Sequence, residues 1–216
     1  MKTPTEPGAG ARSGAVPLPL MAPASERAPV SEMAPVFEVP PAGDYQLDPG
    51  QSAITFATRH LFGLGAVDGS FRLASGQIHV DGSLASSWVR LTVQAASFAT
   101  GNAGRDSAVR SSRLLAVGRY PDITFVSTAL AEDAGAWVLR GRLCVRGHDG
   151  PAEVSLRASR WDGSLLRVRA TATVDRYAFG ITAMKGLAGR RLRLFFDIAA
   201  RSAKLPGGPA RPGAAP

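Results

Sequence analysis

From about residue 45 to residue 198 the chain alternates apolar and polar positions in short runs. Ile54 and Phe56 share one side of the first long run, with Thr58 and His60 continuing it. Val67, Gly69, Phe71 and Leu73 share a face against Asp68, Ser70 and Arg72. Ile78 and Val80 follow, then Val89, Leu91, Val93 and Ala95 against Arg90, Thr92 and Gln94. Ile123 and Phe125 begin the second half. Trp137, Leu139, Leu143 and Val145 then oppose Arg140, Arg142 and Arg146. Ala152, Val154, Leu156 and Ala158 come next, before the row Leu166, Val168, Ala170, Ala172 and Val174. Leu192, Leu194, Phe196 and Ile198 end the pattern. A period of two places alternate side chains on opposite faces of a strand, so each run predicts a strand with one dry and one wet face.

Turn residues separate the runs. Asp48-Pro49-Gly50, Ser75-Gly76, Asp81-Gly82, residues 132–135, residues 147–151 and Asp162-Gly163 all predict turns. Residues 61–65 read as a glycine-loosened connection, and residues 176–189 as irregular. One stretch breaks the period. In residues 105–117, Val109, Leu114 and Val117 fall near one side of a helix, with Arg105, Arg110 and Arg113 on or beside the other. The helical pattern ends at Gly118 and Tyr120-Pro121, and a strand resumes.

About eight half-buried strands with hairpin-type turns predict an all-β, antiparallel fold with one short helical insertion. Dry faces must pair or close on each other. An up-and-down barrel of eight strands does so without leaving edges, and it is about the size that holds one small ligand. A two-sheet sandwich fits the same pattern. Gly69 and Gly141, inside strand runs, suit the bends of a barrel wall.

Composition bounds the rest. Residues 1–42 and 203–216 are rich in Pro, Ala, Ser and Gly, lack periodicity and read as disordered, with Val36, Phe37 and Val39 as a loosely docked turn; residues 43–202 form the folded domain. The 216 residues carry a formal charge of +8, nearly all of it arginine. Such a balance fits nucleic acid, an anionic lipid surface, a phosphorylated ligand or an ordinary solvated wall. Arg140, Arg142, Arg167, Arg169, Arg191 and Arg193 face outward on the later strands, predicting one basic wall and an anionic membrane surface as a further partner. Nucleic acid is the weaker partner, because the outward rows offer mainly Phe195 for stacking. With one cysteine, Cys144, no intramolecular disulfide forms. Neither a membrane-spanning helix nor a signal-peptide pattern is visible, so the expectation is a soluble cytoplasmic protein.

The residues point to no catalyst. His60, His79 and His148 are scattered outside any metal-spacing motif, and no nucleophile elbow or phosphate-cradling glycine motif occurs. No cofactor or metal is expected. The apolar rows fit either a close-packed core or a lumen.

The order and spacing of many residues over 44–200 resemble the YceI-like family. The matching landmarks include Tyr45, Asp48 and Ser52; Phe56 and His60; Val67, Gly69 and Phe71; and Gly76-Gln77-Ile78. Ser97, Thr100-Gly101-Asn102, Arg105-Asp106 and Arg110-Ser111 follow, then Tyr120-Pro121, Phe125 and Ser127. Gly141-Arg142-Leu143, Val145-Arg146-Gly147, Pro151, Asp175-Arg176 and Phe179-Gly180 complete them. The chain departs from the family pattern at Ala108, where a histidine is usual, at Val109, at Cys144 and at His148-Asp149-Gly150.

The resemblance implies a lipocalin-like barrel that binds an isoprenoid or other long apolar lipid in its lumen, for carriage, storage or protection. Ile54, Phe56, Phe71, Leu91, Val93, Phe125, Leu139, Leu143, Val154, Val168, Val174, Leu194 and Phe196 would then line that lumen. His60, Arg105 and Arg110 are the candidates for a polar head group at the mouth, under a helix acting as lid. An enzyme acting on an amphipathic substrate and a basic barrel that binds nucleic acid are the alternatives.

Overall fold

The computed structural model describes residues 36–60, 65–133 and 135–203. The described residues form nine strands: β1 (Gly43–Leu47), β2 (Ala53–His60), β3 (Gly65–Val80), β4 (Trp88–Ala99), β5 (Asp122–Asp133), β6 (Ala136–Val145), β7 (His148–Trp161), β8 (Leu165–Asp175) and β9 (Arg191–Ser202). From β2 to β9 each strand pairs antiparallel with the next, and β9 returns to pair with β2, so an eight-position ring closes. The ninth strand adds no position. β1 pairs with β3 and β9, the same neighbours as β2, and occupies the other half of that slot. Asp48 kinks the chain between them: its carboxylate accepts from Gly50 and Gln51 N–H, while Ser52 Oγ donates to the Asp48 carbonyl and accepts from Ala199 N–H. The fold is thus an antiparallel, lipocalin-like eight-stranded barrel.

The one α-helix described, α1 (Ala103–Arg110), links β4 to β5 across one end of the ring. The opposite end, where β1 begins and β3 and β7 finish, is crossed by residues 36–42. We call these the helix end and the strap end. At the strap end Phe37 bridges Ser159 in parallel, Glu38 N–H donates to the Ser159 carbonyl at 3.0 Å, and Glu38 Oε2 accepts from Trp161 N–H at 2.8 Å. Residues 36–42, expected to be disordered but for a loosely docked turn, are therefore tied to the barrel. Residues 1–35 and 204–216 lie outside the described residues, as do the Leu61–Leu64 connection and the His60 side chain.

Three local expectations need correction. The turn at Ser75-Gly76 does not form; β3 runs through it with a bulge, and Gly76 instead lets the wall approach Leu47 and the Arg90 carbonyl. The turn expected over 147–151 is confined to Arg146-Gly147, both at positive φ, and β7 starts at His148. Pro151 pairs with Arg142 on its β6 side, and β8 joins β7 only from Val154 onward, so the missing N–H lies on an unpaired stretch. Finally, the helix stops at Arg110 rather than running to Val117. Ser111 Oγ donates back to the Ala108 carbonyl, and the chain then drops Leu114 and Leu115 into the barrel end.

Bulges in the wall are filled by serines. Ser97 sits where β4 gains extra residues against β3; its Oγ accepts from Arg72 N–H at 2.8 Å and donates to the Gln94 carbonyl. Ser127, at the β5 bulge, accepts from Val89 N–H at 2.7 Å. Each buried hydroxyl meets a backbone group that the broken ladder leaves unpaired. Gly69 and Gly141 also follow from wall geometry. A Cβ on Gly69 would overlap the Phe56 ring and the Ala99 carbonyl, and one on Gly141 the Phe125 ring and the Val126 carbonyl.

Candidate functional site: the barrel lumen

The ring encloses a cavity of about 190 Å³, bordered by apolar side chains and one charged residue, Arg176. The inward rows show that this space is not a gap between packed ends. Leu91, Leu143, Val154, Val168, Leu194 and Phe196 point inward yet remain only half-buried. In a close-packed core such residues would be fully covered. Their residual exposure is to the lumen. Ala152, Ala170 and Ala172 present small side chains to the cavity from the β7–β8 wall.

Of the residues expected to face the lumen, Ile54, Phe71, Leu91, Val93, Phe125, Leu139, Leu143, Val154, Val168, Val174, Leu194 and Phe196 all border the cavity. Phe56 does not. It is 2% exposed and packed into the helix end, its ring 5.2 Å from Phe98 and 5.5 Å from Phe71. The gap that Gly69 leaves in β3 admits the Phe56 ring toward the wall, which removes it from the lumen.

Among the described residues, the helix end is filled by a plug. Phe56, Phe98, Leu114, Leu115, Val145, Phe179 and Ile181 form one buried cluster across it. Arg176 holds the half of that plug contributed by residues 176–190. Its Nε donates to the Gly189 carbonyl at 2.8 Å, and its Nη1 to Ile181 at 2.6 Å and Ala183 at 2.8 Å. Its Nη2 reaches Ala188 at 3.0 Å and Met184 at 3.5 Å. All five guanidinium N–H groups are engaged by backbone carbonyls, so the one charge beside the lumen is a fastener for the loop, with no donor left for a ligand. Burial pulls the Arg176 pKa down from its usual value, with the neighbouring Tyr177 and Asp175 opposing that shift.

The two arginines proposed for a head group serve the other half of the plug. Arg105 Nε donates to Thr100 Oγ1 at 2.7 Å, and Arg110 Nη2 donates to the Phe98 carbonyl. Asp106, 7% exposed, accepts from both the N–H and the hydroxyl of Thr100. The Thr100 hydroxyl, then the Thr100 N–H and the nearby Arg110 and Arg105, hold the Asp106 carboxyl below the usual range against the opposing effect of burial. With Asn102 capping Arg105 N–H at 2.9 Å, this network rivets α1 onto the end of β4. Neither arginine borders the cavity. Arg105 and Arg110 are thus engaged with the end of β4, while Arg110 Nε is buried without a partner.

The basic wall is likewise reduced by pairing. Arg140 meets Asp133 and Glu153 at 3.2 and 3.1 Å, Arg142 meets Asp149 at 3.5 Å, and Arg167 and Arg169 share Asp197 at 2.9 and 3.6 Å. Sequence reading missed this because the acids lie on neighbouring strands. Among the described residues, no group of three His, Cys, Asp or Glu side chains is placed to hold a metal. His79 sits outside the lumen at the strap end, 2.9 Å from Asp44, and His148 packs on Gly180 at the helix end. No described helix is long and apolar enough to cross a membrane.

Comparison with known proteins agrees with this architecture. The protein from Yersinia enterocolitica called UPF0312 protein YE1254 is 29% identical over 171 residues, covering 76% of this chain and 88% of its own. Protein YceI of Salmonella arizonae is 27% identical over 165 residues, covering 73% and 86%. Among solved structures, Burkholderia cenocepacia BcnA superposes with a TM-score of 0.64 at 19% identity, over 71% of this chain and 98% of that one. A polyisoprenoid binding domain from Saccharophagus degradans, implicated in plant cell wall breakdown, gives 0.56 at 15% identity, over 73% and 98%. At these identities the superpositions establish the fold alone. The profile of the YceI-like domain matches residues 45–200, which spans every strand of the closed ring, and the chain belongs to the YceI-like family.

Proposed function

We propose that the barrel binds a long apolar lipid of isoprenoid type in its lumen and does no chemistry on it, serving to carry, store or shield the lipid. The observation that carries this reading is a hollow centre walled by hydrocarbon, in which the single charged neighbour is saturated by carbonyls. Such a wall offers no acid, base or nucleophile to a bound molecule. It does reward burial: at about 0.8 kcal/mol per CH₂, one five-carbon unit contributes a few kcal/mol without any polar contact. The likeness in fold to a polyisoprenoid binding domain supports the same ligand class.

Native mass spectrometry of gently purified protein tests this. The expected result is a co-purifying mass of isoprenoid lipid, or uptake of added geraniol and geranylgeraniol by the emptied protein. Protein that carries no lipid and takes up neither alcohol overturns the proposal.

A further inference from the structure

The lumen is small for the ligand class proposed above. At about 190 Å³ it is not much larger than the ~150 Å³ apolar cavity that accepts a benzene ring. A chain of several isoprene units must therefore extend past it, and the described residues of the helix end fill that way with a buried plug. At the strap end there is somewhere. A second apolar chamber of about 110 Å³ lies there, and Ile78, Val89, Leu139, Leu156 and Val168 border both spaces. Trp88 and Trp137 flank it, and Phe37 to Pro40 cover it.

The cover is one extended segment held at its two ends. Residues 36–41 join the barrel at Ser159 and Trp161 of β7, and at Tyr45, whose hydroxyl donates to the Pro41 carbonyl at 2.6 Å. Between these anchors Val39 is 56% exposed. The helix end, by contrast, carries a buried seven-residue plug, the Thr100–Asp106 network and the five bonds of Arg176. The charge at the strap end is mixed. Glu38, Asp44, Asp81, Glu132, Asp133 and Asp162 stand there with Arg90, Arg140, Arg160 and Arg201. Arg140 is bound to Asp133 and Arg201 to Asp48, so the rim offers an anionic head group no cluster of arginines.

We propose that the strap end is the entry to the lumen, and that the Trp88–Trp137 chamber is a second binding subsite for the uncharged end of an apolar ligand too long for the lumen alone. The inference rests on the lipid-binding reading above. The strap over residues 37–40 lifts to admit the ligand and settles back over it.

The chain's three tryptophans report on this directly, since Trp88, Trp137 and Trp161 all lie at the strap end. Geraniol and geranylgeraniol should both bind the full-length protein by native mass spectrometry. Only the longer alcohol should shift tryptophan emission, and Trp137→Phe should remove most of that shift. Geranylgeranyl diphosphate should bind no tighter than geranylgeraniol. In a Cys144→Ser background, a disulfide between Phe37→Cys and Ser159→Cys should slow association of geranylgeraniol at least tenfold, with reduction restoring the rate. Glu38→Ala, which frees the strap from Trp161, should speed association several-fold. Bound geranylgeraniol that leaves tryptophan emission unchanged overturns the subsite. A diphosphate that binds tenfold tighter overturns the uncharged end, and unaltered association rates with the strap locked and with Glu38→Ala overturn the entry. Failure of the wild-type protein to bind either alcohol removes the lipid reading and this inference together.

Discussion

Arg176 Nη1 donates to the Ile181 carbonyl at 2.6 Å, and that bond fixes the turn from which the Ile181 side chain enters the barrel end. A surface-type residue thereby determines an interior contact. Between them, the 3₁₀ turn Arg176–Phe179 closes on Gly180 at positive φ, against the His148 ring, and directs Phe179 over Gly150.

Replacing Arg176 should therefore cost more than a surface charge would. Charge-assisted hydrogen bonds are worth about 1.5–3 kcal/mol each, and several carbonyls would lose their donor at once. Arg176→Ala should destabilise by about 3 kcal/mol or more, lowering Tm by roughly 6–12 °C. Lysine should not rescue it, because three donors on a flexible stem cannot reproduce a five-donor fork. Chemical denaturation of both variants checks this.

Arg105→Ala and Arg110→Ala should each lower stability by about 1–3 kcal/mol, because each removes a donor to the β4–α1 corner. Their effects on ligand affinity should be small, and the same for geranylgeraniol and its diphosphate. A selective loss of the diphosphate, measured by calorimetric titration, would return these arginines to head-group recognition.

Asp106 makes the corner sensitive to acid. Its folded pKa is depressed, so the charged carboxylate contributes stability that is complete above the unfolded value of about 3.9 and is lost as pH falls through the folded value. Asp106→Asn keeps the shape but gives up the charge. The variant should melt below the wild type at pH 7, and the two melting curves should converge as pH falls below about 4.

Filling the lumen should separate binding from folding. Ala172 borders the cavity on β8, so Ala172→Phe occupies space that a ligand needs while burying more hydrocarbon. Lipid affinity should drop at least tenfold while Tm holds or rises. A drop in Tm of several degrees would mean that the rows already touch across the axis.

The barrel was legible because a period of two survives over most of each long strand, and an eleven-residue strand such as β8, with its row through Val168, Ala170 and Ala172, leaves little choice of inward face. What could not be read were relationships in which one partner is backbone. Arg176 has no acidic partner to find in the sequence; its acceptors are carbonyls of its own loop. Ser97 and Ser127 look like ordinary polar positions until the bulges they fill are seen. Phe56 has the correct parity for the lumen, but parity says nothing about a ring turning toward Gly69. The strap was missed for another reason. Residues 36–42 carry two prolines and no period, and they dock through a short bridge at Phe37 rather than as a strand.

The pairing of β2 with β9 also governs the birth of the molecule. Ile54 finds its partner in Phe196, nearly at the far end of the domain. Such non-local pairing is slow to form, since the closure entropy of the whole intervening chain comes first. During synthesis the apolar rows must wait, unclosed, until the last strand has emerged from the ribosome. Throughout that interval they form an open trough of hydrocarbon rather than a tube. A lipid lying in the trough when β9 arrives would be enclosed without passing through either end, so the nascent chain meets its cargo under different rules from the finished barrel.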